Sequence, residues 1–159
     1  MDYERFKAML NLCKAEIDKS EEGKVQIHEK KYATVGLRLK TLREYFGANI
    51  ELQTHILKHD EEQVTIKAEI YFRVNENSTA QLIGDGYANK HVKHVKRFLH
   101  PSLLEFCQTS AWGRALASIG LLGDTDVIAS AEEMILAGAD TESKIQTKDI
   151  KENEDAFAN

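Results

Sequence analysis

The stretch "VTIKAEIYFRV", residues 64 to 74, alternates without a break. Val64, Ile66, Ala68, Ile70, Phe72 and Val74 fall on one side. Thr65, Lys67, Glu69, Tyr71 and Arg73 fall on the other. Side chains along a strand point to opposite faces in turn, so this period of two predicts a β-strand with one buried face. Such a strand needs neighbours on its edges and a cover for its apolar side. "NIELQTHIL" before it alternates through Ile50, Leu52 and Ile56, and "AQLIGDGYA" after it supplies a further run. "KHDEE" and "NENST" hold turn residues between the runs. The expected unit is an antiparallel meander of three to four strands. Gly84 and Gly86 inside its last strand predict a bulge, or backbone passing close to something.

The cover comes from helices. Phe6, Met9, Leu10, Cys13 and Ile17 recur at helical spacing and predict an amphipathic N-terminal helix over residues 2 to 19. Residues 25 to 34 read as one short strand. "TVGLRLKTLREYFG" puts Leu39, Leu42 and Phe46 on one helical face and Arg38, Thr41 and Tyr45 on another, with Gly47 placed as a C-cap. Pro101 suits the first turn of a long helix through "SLLEFCQTSAWGRALASIG". Leu104, Cys107, Ala111, Ala115 and Ile119 make its core stripe, and its many small residues let it lie close on a sheet. Ser130 and Glu133 have capping-box spacing and predict one more short helix. The fold class is therefore α+β: a meander packed against a long C-terminal helix, with an N-terminal helix. The expected organisation is a helix over 1–24, a core domain over 25–138 and an acidic, disordered tail over 139–159.

No apolar run reaches the roughly 18 residues that span a bilayer. "MDYERFKAML" carries acids where a signal peptide needs bases, so an intracellular protein without a membrane partner is expected. Cys13 and Cys107 are too few for a disulfide framework or a structural zinc site, and read as small core hydrophobes.

The formal charge is −5, but it is unevenly placed. Residues 28–47 sum to +3 and residues 86–114 to +4, while 48–85 sum to −4 and 115–159 to −7. Two basic islands in an acidic chain argue for a polyanion, because local potential recruits it. The first island contributes Arg38, Lys40 and Arg43. The second holds "NKHVKHVKRFLHP", where Lys90, Lys93 and Lys96 recur every three residues and Arg97 follows. On a helix these would share a face; in a loop they would form a flexible basic arm. Tyr87 and Phe98 flank them and can stack on bases.

Other readings stay open. Either island can be a solvated basic surface. His91, His94 and His100 have spacing that can share a metal, which would make the chain a metal-dependent enzyme, but the surrounding lysines oppose a cation. No nucleophile elbow, phosphate-binding loop or zinc-protease helix is present in the sequence. "GDG" precedes no helix N-terminus and is read as structural.

Two segments, "YATVGLRLKTLREYFG" and "LEFCQTSAWGRALASIG", stand in this order around the meander. That arrangement resembles the RAD-fifty-two recombination mediators and related phage single-strand annealing proteins. The matching residues are Tyr32, Gly36, Arg38, Phe46 and Gly47, then Gly86 and Tyr87, then Arg114, Ala115, Leu116, Ser118 and Gly120. The likeness spans roughly residues 30 to 122. Two departures stand out: Gly113 replaces a lysine common in the family, and the helix with Arg38 is one residue shorter before its Phe-Gly. The resemblance implies annealing of complementary single-stranded DNA without ATP or any other cofactor, by protomers in a ring or arc. It puts Arg38 and Arg114 on a DNA-binding groove. Charge adds Lys40, Arg43, Lys90, Lys93, Lys96 and Arg97, and stacking adds Tyr87. A phage exonuclease or host single-strand binding protein would be a further partner, in a bacterial cytoplasm. The alternative within this class is a single-strand protector that does not anneal; outside it, a protein-only adaptor. The tail "KENEDAFAN" reads either as a solubilising end or as an acidic competitor for the groove.

Overall fold

A computed structural model describes residues 3–95, 97–122 and 131–136. Helix α1 spans Tyr3–Lys19, and a hairpin follows from β1, Lys24–Ile27, and β2, Lys30–Ala33. Helix α2 spans Val35–Phe46. The meander is β3, Ile50–His59, β4, Gln63–Phe72, and β5, Gln81–His91, antiparallel in the order β3-β4-β5. Two short 3-10 turns, Val92–His94 and Arg97–Ser102, lead to α3, Leu103–Ser118, and α4 spans Ala131–Leu136.

The alternation in β4 does what its pattern predicts as far as Phe72; Val74, expected on the buried face, lies past the end of the strand and is exposed. Val64, Ile66, Ala68, Ile70 and Phe72 are buried under α3, against Cys107, Ala111, Ala115 and Leu116. The same cluster takes Cys13 and Ile17 of α1 and Leu42 and Phe46 of α2, so the N-terminal helix shares the core of the meander. The Phe6 ring lies 4.7 Å from Phe72 and 5.4 Å from Phe46, centroid to centroid. Both cysteines are buried free thiols, and burial pushes Cys13 up to about 11. The Cys107 thiol donates to the carbonyls of Val64 and Ala88.

The two glycines of β5 answer a contact with α3. A Cβ on Gly86 would sit 2.4 Å from the Ala115 nitrogen and 2.5 Å from the Ala111 oxygen. One on Gly84 would sit 2.5 Å from Ile119 Cγ2. The helix backbone therefore rests directly on the strand backbone. A register shift between Ile70 and Tyr71 supplies the bulge as well.

Helix α2 ends at Gly47 as its sequence predicts, and Thr34 caps its start. The Thr34 hydroxyl accepts from the Leu37 N–H at 3.1 Å, and Gly47 caps the far end at φ 54° with its N–H donating to the Arg43 carbonyl. Two expectations are corrected. The face carrying Arg38 and Thr41 is buried, not solvated. The single strand expected over 25–34 is a hairpin, turning at His28 with φ 53°. A second, smaller cluster forms here from Ile27, Tyr32 and Ala131, with Val25 and Met134 against it. Ser130, the partner in the expected capping box, and the tail from 139 lie outside the described residues.

Candidate nucleic-acid interface

In the first basic island the fold buries Arg38, while Lys30, Lys31, Lys40 and Arg43 stay exposed. Arg38 is 1% exposed. Its Nη1 donates to the Leu121 carbonyl at 3.1 Å and the Gly113 carbonyl at 3.3 Å, and its Nε to the Thr34 carbonyl at 3.4 Å. A guanidinium can leave water when carbonyl dipoles replace its hydration, and this one ties α2 to the C-terminal end of α3. Arg38 therefore does not stand on a groove in this structure, a correction to the position implied by the resemblance. Gly113, where a lysine would offer a phosphate contact, is buried beside it. Arg43 is exposed, but its Nη1 donates to the Ile50 carbonyl at 2.7 Å and stitches the corner between α2 and β3. Lys40 faces solvent, 3.9 Å from Glu44 one turn on. Among the described residues, no hydrogen bond or ion pair joins Lys40 or Arg43 to the second island.

The second island is built differently. Strand β5 runs on to His91, so Lys90 is a strand residue opposite Val64. Lys93 sits in the first 3-10 turn and Arg97 opens the second. The stretch is thus neither one helical face nor a free arm. Lys93, His94 and Arg97 are exposed, and Lys96 lies outside the described residues. Arg114 reaches this cluster from α3. Its Nη1 donates to the Tyr87 carbonyl at 2.6 Å, and its Nη2 to Glu133 Oε1 at 3.1 Å. Lys90 Nζ lies 3.9 Å from the same Glu133 oxygen. A cavity of about 280 Å³ opens beside Lys90 and Glu133, lined also by Asn89, His91, His94, Val95 and Phe106.

Tyr87 does not flank this cluster with its ring. Residues 87 and 90 are an odd number apart on one strand, so their side chains leave opposite faces. The Tyr87 ring is half exposed on the solvent side, where Lys67 Nζ lies 5.4 Å from its centroid. Only its carbonyl takes part in the Arg114 contact. The histidines divide too. The His91 and His94 rings meet edge to face at 5.9 Å, while His100 hydrogen-bonds the Val95 carbonyl. Among the described residues, no three side chains of metal-ligating type converge.

The solvent face of the sheet carries a polar network that the sequence does not announce. Cross-strand register puts His55, Lys67 and Tyr87 in one row, and Gln53, Glu69 and Asp85 in the next. Glu69 is 7% exposed and central. It meets Lys67 Nζ at 2.5 Å and His55 Nε2 at 2.8 Å, and accepts from the Tyr71 hydroxyl at 2.9 Å. The Lys67 ammonium, helped by those hydrogen bonds, holds the Glu69 carboxyl down at about 2 despite burial. Glu51, Glu69 and Asp85 balance Lys58, Lys67 and Arg73 on this face, so it does not extend the basic surface. The signal was the polar half of the β4 alternation, but its meaning needed the register.

No protein-family model matches the chain, and no curated protein matches it. Among the described residues, no helix is long and apolar enough to cross a membrane.

Proposed function

We propose that this protein binds single-stranded DNA along the open edge of β5 and the adjoining end of α3, and that an oligomer of it promotes annealing of complementary strands. The observation that carries the reading is the convergence of Lys90, from β5, and Arg114, from α3, on Glu133, with Lys93 and Arg97 exposed further along the chain. Lysine and arginine bind phosphates with little regard to base sequence, which leaves bases free to meet a partner strand. Annealing of this kind needs no nucleophile, metal or ATP. Weak backbone contacts gain from repetition around an oligomer, since linked sites act by effective concentration. Strands β3 and β5 each have an edge unpaired within the sheet, which offers protomers a means of association.

The test is pairing of two complementary fluorescent oligonucleotides without ATP or added metal. Wild type should speed pairing, and a folded Lys93→Ala/Arg97→Ala/Arg114→Ala variant should lose the effect. Binding without faster pairing would make the protein a protector of single strands. No binding at low salt would overturn the reading and favour a protein-only adaptor.

A further inference from the structure

Glu133 holds a position that invites a ligand. Its carboxylate comes from α4, yet it lies against two cations of other elements. Arg114 Nη2 donates to Oε1 at 3.1 Å, and Lys90 Nζ lies 3.9 Å from the same oxygen. The Glu133 side chain is 10% exposed, while Arg114 keeps 43% and Lys90 20%. The cations are set on rigid elements. Lys90 stands on β5, and Arg114 is fixed by its second amino group on the Tyr87 carbonyl. That leaves one edge of the guanidinium aimed at an anion, with its geometry already paid in folding. The anion is supplied by the weaker partner. Helix α4 has six residues and docks through Ala131 and Met134 onto Ile27, Tyr32 and Val25, a cluster separate from the main core. Its undocking uncovers Ile27 and Tyr32 but not the main core, so it can leave while the sheet and α3 stay folded.

We infer that Lys90 and Arg114 form an anion subsite for a phosphodiester oxygen, and that Glu133 fills it as an internal competitor until a strand displaces it. Carboxylate and phosphate oxygens accept the same charge-assisted bonds from a guanidinium, so one can stand in for the other. A phosphodiester carries one negative charge and two non-bridging oxygens, as a carboxylate carries one charge and two oxygens. A strand carries a series of them, so the exposed Lys93 and Arg97 can engage further phosphates of the strand that displaces Glu133. Affinity for a strand is then reduced by the fraction of time Glu133 stays in place. The phosphodiester identity rests on the nucleic-acid reading above; the anion subsite itself does not.

The experiment uses the full chain as wild type, Glu133→Gln, Glu133→Asp, and Glu22→Gln as a charge control at an exposed position away from the cluster. Two probes are used: anisotropy of fluorescein-labelled oligothymidylate, and thermal stabilisation by tripolyphosphate. Circular dichroism establishes that each variant is folded. Glu133→Gln should bind both probes about five- to tenfold tighter, as expected for loss of one charge-assisted contact in competition. Glu133→Asp should gain less, Glu22→Gln should change binding by no more than about twofold, and adding Arg114→Ala should abolish the gain. Tighter tripolyphosphate binding with no oligonucleotide bound by any variant would keep the subsite and sink the nucleic-acid reading. Oligonucleotide binding that Glu133→Gln leaves unchanged or weakens would overturn the subsite and keep that reading. Neither probe bound by any variant would overturn both.

Discussion

The two basic islands look alike in composition, yet the fold buries an arginine in one and brings two cations onto a carboxylate in the other. In the α2 island, Arg38 is buried on the carbonyls of Gly113 and Leu121, and Arg43 is bonded to the carbonyl of Ile50. In the β5–α3 island, Lys93 and Arg97 are exposed, and Lys90 and Arg114 converge on a single carboxylate. The difference lies in the acceptor. A guanidinium has five donors in a planar fork, and backbone carbonyls at helix ends and strand corners can take some of them in place of a phosphate. Positive charge in a sequence is thus a statement about acceptors not yet identified. Where the fold buries the guanidinium on its carbonyls, as at Arg38, the arginine is structural; where it leaves the guanidinium exposed, as at Arg114, charge remains for a partner.

The sharpest way to break this comparison is Arg38→Ala. The change strands buried carbonyls and opens a void between α2 and α3, so stability should fall by about 3–5 kcal/mol in urea unfolding. A variant of wild-type stability that had lost DNA affinity would return the α2 island to the binding surface. Next in size is Gly86→Ala. A methyl group would press on the backbone of α3, which cannot yield as a side chain end can. The cost should be about 1–3 kcal/mol, and it should carry a loss of strand binding, because the seam also positions Arg114.

The sheet's solvent face responds to acid. Lys67 and the hydroxyl and imidazole beside it hold the folded Glu69 carboxyl at about 2, against an ordinary 4.5. A carboxyl depressed in the folded state contributes stability above its unfolded pKa, and that contribution is lost as pH falls through the folded one. Stability should therefore decline between pH 4.5 and about 2. Glu69→Gln should flatten that limb and lower stability at neutral pH, as followed by thermal melts across the pH series. The smallest effect belongs to Lys40→Ala. Its exposed pair with Glu44 is worth about 0.3–0.5 kcal/mol, so melting should barely move.

Much of the architecture is legible in the sequence, because strict period-two alternation and a small-residue helix admit few arrangements. The close approach at Gly84 and Gly86 is legible as well, though not that α3 is what approaches. The hairpin over 24–33 is hidden because His28 and Glu29 make its turn without glycine or asparagine. The burial of Arg38 depends on carbonyls 75 and 83 residues away, which no local pattern records. Glu133 offers capping-box spacing, and its link to Arg114, 19 residues earlier, appears only when α4 is docked. The separation of Tyr87 from Lys90 follows from strand parity, but only once β5 is known to continue to His91.

The most direct test of the account is the salt dependence of single-strand binding for wild type, Lys93→Ala/Arg97→Ala and Lys40→Ala. Each phosphate contact on a single strand contributes about 0.7 to the slope of log affinity against log salt. The double variant should lose about 1.4 from that slope, while Lys40→Ala keeps the wild-type value. A slope unchanged in the double variant and reduced in Lys40→Ala would place the strand on α2 and contradict the assignment of the two islands.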